Sequence, residues 1–350
     1  MPAWKRQLPI AAALILPLTL AFPASSAEMA KPTADMQAVL DKLQALDAKP
    51  FSTLTVPEAR TQASPADAAK AVQWDKRLSS NPEAQVTTKD ITIPSNGGGL
   101  AARVYIPGGT GPFPVVVYYH GGGWVVADIN VYDSAPRALA MGANAIVVSV
   151  EYRHAPEHKF PAAHEDAWTA YKWVVENIHE LNGNSDKIAV AGESAGGNLA
   201  ANVALMAKEQ RTKQPVHQLL VYPVAGADME TASYKENANA KPLGKADMEW
   251  FVKNTTTSMD QAKDPRINLN GRSDLSGVAP ATVILAQIDP LRSDGETYAS
   301  KLKDAGVAVN MKTFNGVTHE FFGMAKVVPE AKQAVDLAVA DLTTAFSKAK

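Results

Sequence analysis

The sequence predicts an α/β protein built on a mostly parallel central sheet covered by helices on both faces. Two observations carry this. Short apolar runs without polar alternation recur from Val115 onward, as strands buried on both faces require, and helix-like stretches separate them. An antiparallel hairpin signal stands immediately before the first of these runs, so the sheet is expected to open antiparallel and continue in strand–helix units. At 350 residues the chain can hold one large domain of this kind and a small accessory element.

Taken in order, the first 27 residues have a character of their own. Lys5 and Arg6 precede an apolar run from Leu8 to Phe22, followed by the small residues Ala24, Ser25, Ser26 and Ala27. This is the pattern of a secretory signal peptide, with cleavage expected after Ala27 and a periplasmic or secreted product. An uncleaved anchor is the rival, but the run is shorter than the roughly 20 residues a membrane span needs, and Pro9 and Pro17 interrupt it. Residues 28–85 read as helices broken by Pro50, Pro57 and Pro65. Met36, Leu40, Leu43 and Leu46 recur at helical spacing and mark one amphipathic face. With no strand in sight, this stretch is expected to form an amino-terminal helical cap.

Residues 86–350 are expected to form the main α/β domain. Thr88–Ile93 and Ala101–Ile106 flank the turn residues Asn96 to Gly99 and read as the hairpin. Buried strands follow at Val115–Tyr119, Ala145–Val150, Ile188–Ala191, Gln218–Tyr222, Thr282–Ile288 and Val309–Phe314. Helices are expected at Ala162–Asn177 and Asn198–Gln210. A second helical insert, about residues 226–257, interrupts the late units and is expected to join the cap.

Composition removes several classes of function. Net charge is −2 with no run of like charges, which gives no reason to expect nucleic acid or an anionic membrane as a partner. The chain has no cysteine, so disulfides, thiolate metal sites and a cysteine nucleophile are excluded.

The chemistry-bearing signals lie at strand ends. Gly192-Glu193-Ser194-Ala195-Gly196 is a G-x-S-x-G with a strand running into it and a helix-forming stretch leaving it. A serine on such a turn is exposed for nucleophilic attack, and the amide of Ala195 sits at a helix amino terminus, where it can face a developing oxyanion. His120-Gly121-Gly122-Gly123-Trp124 follows the strand Val115–Tyr119. Side-chain-free residues there let the amides of Gly121 and Gly122 approach a substrate carbonyl. Either motif alone is a common turn; a strand, then HGGG, then a downstream G-x-S-x-G is far more specific.

A serine nucleophile needs a base and an acid, which in such proteins follow it in the chain order serine, acid, histidine. Only His217 and His319 follow Ser194. His217 precedes its strand, at the wrong edge of a parallel sheet, whereas His319 lies in a loop after the strand Val309–Phe314. Asp289 directly follows the strand Thr282–Ile288 and is the expected acid, with Asp294 as the rival.

HGGGW, GESAGG, Asp289-Pro290-Leu291-Arg292 and the stretch from Tyr152 to His158 together resemble the hormone-sensitive-lipase family of bacterial esterases, often called family IV. The likeness runs from about Val104 to Gly323 and includes Gln218–Pro223 and Asp274–Gly277. It implies the α/β-hydrolase fold, a triad of Ser194, Asp289 and His319, and oxyanion donors at Gly121, Gly122 and Ala195. It also implies short acyl chains as substrates. Three positions depart from the family pattern. Glu193 stands where aspartate is usual, His154 replaces a usual leucine, and Thr318-His319-Glu320 differs from the common I-H-G.

His154, His158 and His164 invite a metal reading, but Pro156 and Pro161 prevent one helix from presenting them together, and the stretch matches a structural motif of the family. Asp166 reads as a partner that stabilises that loop. The expected reaction is therefore ester hydrolysis through an acyl-enzyme, with a small ester as substrate, no metal or organic cofactor and no lasting membrane anchor; a homodimer is left open. The same triad could act on an amide, a lactone or an acetylated sugar. A ligand-binding protein on this scaffold is the rival of another class, and the retained histidine argues against it.

Overall fold

The computed structural model describes residues 1–4, 29–79 and 85–349. The expected signal peptide falls almost wholly outside the described residues. Among those described, no helix is long and apolar enough to cross a membrane.

Eight strands form one sheet: β1 (Val86–Ser95), β2 (Gly98–Pro107), β3 (Phe113–Tyr119), β4 (Ile146–Val150), β5 (Gly183–Glu193), β6 (Gln218–Val221), β7 (Ala281–Ile288) and β8 (Val309–Thr318). Their spatial order is β1-β2-β4-β3-β5-β6-β7-β8. β1 and β2 are the antiparallel hairpin, β2 meets β4 antiparallel, and all later pairs are parallel. The hairpin turns on Asn96 and Gly97, and Gly98 and Gly99 already belong to the ladder, where they pair with Ser95 and Pro94.

The strands bury both faces because their apolar runs do not alternate. Val115, Val117 and Tyr119 of β3 enter one core layer, while Val116 and Tyr118 enter the other. The first layer is closed by α5 (Ala162–Asn177), α6 (Ala195–Glu209) and α9 (Arg292–Asp304); the second by α1 (Ala34–Ala45), α3 (Pro65–Asp75), α4 (Ser134–Ala143) and α10 (Pro329–Lys348). Among the described residues, the remaining α-helices are the short α2 (Val56–Thr61) and, in the expected insert, α7 (Ala232–Glu236) and α8 (Lys245–Thr255).

The segment expected as a cap is divided between two jobs. Met36 and Val39 of α1, with Ala68 and Val72 of α3, bury in the second core layer, and Thr33 donates its N–H to the carbonyl of Gly316 in β8 at 2.8 Å. The stretch from Phe51 to Asp67 instead overhangs the carboxyl edge of the sheet, where it meets α8 through Phe51, Trp250 and Phe251. The Trp250 indole N–H donates to the Leu54 carbonyl at 2.9 Å, and Asp247 accepts the Ser52 N–H at 2.9 Å.

Candidate active site

The turn between β5 and α6 is tight enough to force its sequence. Ser194 has φ 56° and ψ −119°, in the left-handed half of backbone space that non-glycine residues rarely occupy. A side chain at Gly196 would place its Cβ 2.0 Å from the Tyr119 carbonyl oxygen, so only glycine lets α6 start this close to β3. Helix α6 therefore begins at Ala195 rather than at Asn198. The Ala195 N–H belongs to the first turn, whose donors have no intrahelical acceptor.

Ser194, His319 and Asp289 come from the carboxyl ends of β5, β8 and β7 and form one hydrogen-bonded chain. His319 Nδ1 lies 2.7 Å from Asp289 Oδ2, and His319 Nε2 lies 2.9 Å from Ser194 Oγ. A carboxylate only accepts, so Nδ1 carries the proton and Nε2 is left to accept the Ser194 hydroxyl. Asp289 is fully buried, and its other oxygen accepts the Leu291 N–H at 2.8 Å. Burial opposes a charged His319, but the charge and hydrogen bond of Asp289 outweigh it. Glu320 and Glu193 add to the effect, and the imidazole pKa is raised above its ordinary value.

The alternatives separate cleanly. His217 is buried at the amino-terminal end of β6, with Nε2 2.8 Å from Thr282 Oγ1. Asp294, also buried, accepts the Gly226 N–H at 3.0 Å and is pushed up to about 8, by burial above all. Asp166 grips Arg153 through both oxygens, at 2.7 and 2.8 Å, and holds the loop as expected.

The glycine loop is held from one side. The Tyr152 hydroxyl lies 2.8 Å from the His120 carbonyl and 3.1 Å from that of Gly121, and His120 Nδ1 lies 2.8 Å from the Gly121 carbonyl. Across a trans peptide the N–H points opposite to the carbonyl, so the amides of Gly121 and Gly122 face away from Tyr152. Gly122 has φ 93°, and a Cβ there would lie 2.1 Å from the Val126 carbonyl oxygen.

Gly122, Gly123, Ser194 and His319 line a cavity of about 240 Å³. Its other walls are mostly apolar and come from both accessory segments: Phe51 and Pro65 on one side, Met229, Leu243, Met248 and Phe251 on the other.

Two carboxylates beside the site escaped the sequence reading in their contacts. Glu193 is buried and accepts both the Tyr118 and Tyr222 hydroxyls. Burial first, and then the Glu320 charge, push it up to about 7. Glu320 does not point into solvent. Its side chain is 21% exposed, Oε1 lies 3.8 Å from His319 Nε2, and both oxygens lie 2.6 Å from the Tyr132 hydroxyl. It also takes φ 72°, a left-handed conformation suited to the glycine common at this position in the family. No local sequence signal pairs Tyr132 with Glu320.

Comparison with known proteins gives the chain's family. Residues 116–323 match the alpha/beta hydrolase fold family. The carboxylesterase NlhH of Mycobacterium tuberculosis is 44% identical over 237 residues, 67% of this chain and 74% of its own. The ethyl acetate hydrolase of Pseudomonas putida is 33% identical over 83% of this chain and 90% of its own. Among solved structures, a hyperthermophilic esterase from Pyrobaculum calidifontis superposes with a TM-score of 0.81 at 37% identity, covering 90% of this chain and 99% of the esterase. The chain belongs to the alpha/beta-hydrolase family, among its hormone-sensitive-lipase-like carboxylic ester hydrolases.

Proposed function

We propose that this enzyme hydrolyses short-chain carboxylic esters through an acyl-enzyme on Ser194. The observation that carries the reading is the hydrogen-bonded chain Ser194–His319–Asp289 opening onto a small apolar cavity. In the first half-reaction His319 Nε2 takes the hydroxyl proton as Ser194 Oγ bonds to the ester carbonyl carbon. Asp289 keeps the ring in its Nδ1–H tautomer and stabilises the imidazolium. The amides of Gly121, Gly122 and Ala195 receive the negative oxygen, each such donor being worth about 3 kcal/mol in the transition state. His319 then protonates the departing alcohol. In the second half-reaction it activates water, which attacks the acyl carbon and releases the acid.

The two accessory segments act together as a cap in this reading, because both wall the cavity beside Ser194. The walls beside Ser194 are mostly apolar, which suits an uncharged acyl group, and the family resemblance supports a short one. Ser194→Ala tests the assignment. Turnover should fall by about 10⁶-fold with the fold intact, because the hydroxyl contributes little to packing. A variant that kept a tenth of wild-type turnover would overturn it.

A further inference from the structure

His154, one of the three positions that depart from the family pattern, does not join His158 or His164. His164 is buried against Asn198, with Nε2 2.9 Å from its Oδ1. His154 turns instead toward His120 and Glu151, and parallel pairing explains how these meet. β3 and β4 run side by side with Tyr119 opposite Val150, so the next residues, His120 and Glu151, emerge together at the carboxyl edge. His154 lies three residues beyond Glu151 and folds back over it.

Each of the three side chains presents a free ligand atom to the others. His120 is fully buried, and since its Nδ1–H donates to the Gly121 carbonyl, the neutral ring has its lone pair on Nε2. That Nε2 has no hydrogen-bond partner and lies 3.7 Å from Glu151 Oε1. His154 Nε2, likewise unpartnered, lies 3.3 Å from the same oxygen. Glu151 Oε2 is held by the Ile129 N–H at 2.9 Å, which leaves Oε1 for the two imidazoles. All three ligand atoms lie within 4.8 Å of one another.

We infer that His120, Glu151 and His154 form a binding site for a divalent transition-metal ion of the zinc type. Zinc takes imidazole nitrogen at about 2.0–2.1 Å and carboxylate oxygen at about 2.0–2.2 Å, so tetrahedral ligands stand about 3.3 Å apart. Two of the separations are already near that value. Small rotations of the side chains close the rest. Two imidazoles and a carboxylate select zinc and its first-row neighbours over magnesium or calcium, which prefer all-oxygen sets. A carbonyl behind His120 and an amide behind Glu151 are the outer hydrogen bonds that orient metal ligands. Glu151 and His154 line a surface pocket together with Asp128, Glu157 and His158. Arg60 also reaches it, but its guanidinium is held by both oxygens of Glu157, at 2.7 and 2.8 Å.

None of the three ligands lines the cavity that holds Ser194, so the metal takes no part in acyl transfer. Its effect is on the loop: His120 is tied to the Gly121 carbonyl, and a metal on Nε2 fixes that ring and with it the start of the glycine loop.

The test is zinc binding to the purified full chain, stripped with EDTA and followed by calorimetry, metal analysis and thermal unfolding. Wild type should bind one zinc per chain and show a Tm that rises with zinc concentration. His154→Leu should fold, since leucine is the usual family residue, yet bind about 100-fold more weakly or worse and lose the Tm response. Its metal-free hydrolysis of p-nitrophenyl acetate should match that of metal-free wild type. Glu151→Gln should weaken binding in the same direction. Equal zinc affinity in wild type and His154→Leu would place binding on other histidines and overturn the proposal. So would a wild-type Tm indifferent to millimolar zinc.

Discussion

Glu320 is the residue whose removal should say most about the base. Its carboxylate Oε1 stands 3.8 Å from His319 Nε2, the atom that must be unprotonated to accept the Ser194 proton. At about 4 Å, a unit charge pair is worth about 1 kcal/mol in bulk water and about 4 kcal/mol at an effective dielectric of 20. Glu320 is 21% exposed, so solvent screens part of the interaction, and its own carboxyl is raised by burial first. A value toward the lower end of that range, about 1.4 kcal/mol, corresponds to about one pKa unit on His319. The sign is fixed: a negative neighbour raises the imidazole pKa, so Glu320→Gln lowers it and moves the acid limb of kcat/KM about one pH unit down. One unit below the wild-type midpoint the variant should be about five-fold faster, and on the alkaline plateau the two should coincide. Glutamine is preferred to glycine because it keeps the Tyr132 contact and the left-handed backbone, isolating the charge. The assay is kcat/KM for p-nitrophenyl acetate from pH 5 to 9 at low ionic strength. An acid limb that does not move would refute the coupling and leave Glu320 as a structural residue held by Tyr132.

Two further outcomes follow from the cavity and the amino terminus. p-Nitrophenyl acetate and butyrate should be cleaved much faster than the palmitate, as a panel of initial rates would show. A palmitate preference with interfacial activation would indicate a lipase and contradict the proposed cavity. Export is a proposal resting on the run from Leu8 to Phe22, and amino-terminal sequencing of native protein from the periplasm or medium should begin at or near Glu28. Met1 on cytosolic protein would sink it.

What the sequence made legible is what local chemistry dictates. Unalternated short runs such as Val115–Tyr119 suit strands buried on both faces, and the glycines around Ser194 are demanded by backbone contacts. His319 and Asp289 emerged because chain order and strand ends leave few choices. The hidden features are those set by packing between distant segments. The amphipathic patterns of α1 and α3 do not say which surface they cover, so helices read as cap turned out to close a core layer. Helices α4 and α10 lie where the motifs drew attention elsewhere. The meetings of Glu193 with Tyr118 and Tyr222, and of His120 with Glu151, follow from strand neighbourhood, which no single segment encodes.

In the proposed reaction His319 and Asp289 activate Ser194 as the nucleophile, and labelling by a fluorophosphonate probes that activation, because the reagent traps a serine made nucleophilic by its base. Ester hydrolysis should be lost in step with one phosphonyl group per chain, located by peptide mass spectrometry on Ser194, and Ser194→Ala should not be labelled. A fully active enzyme that resists the reagent, or a label found on another residue, would contradict it.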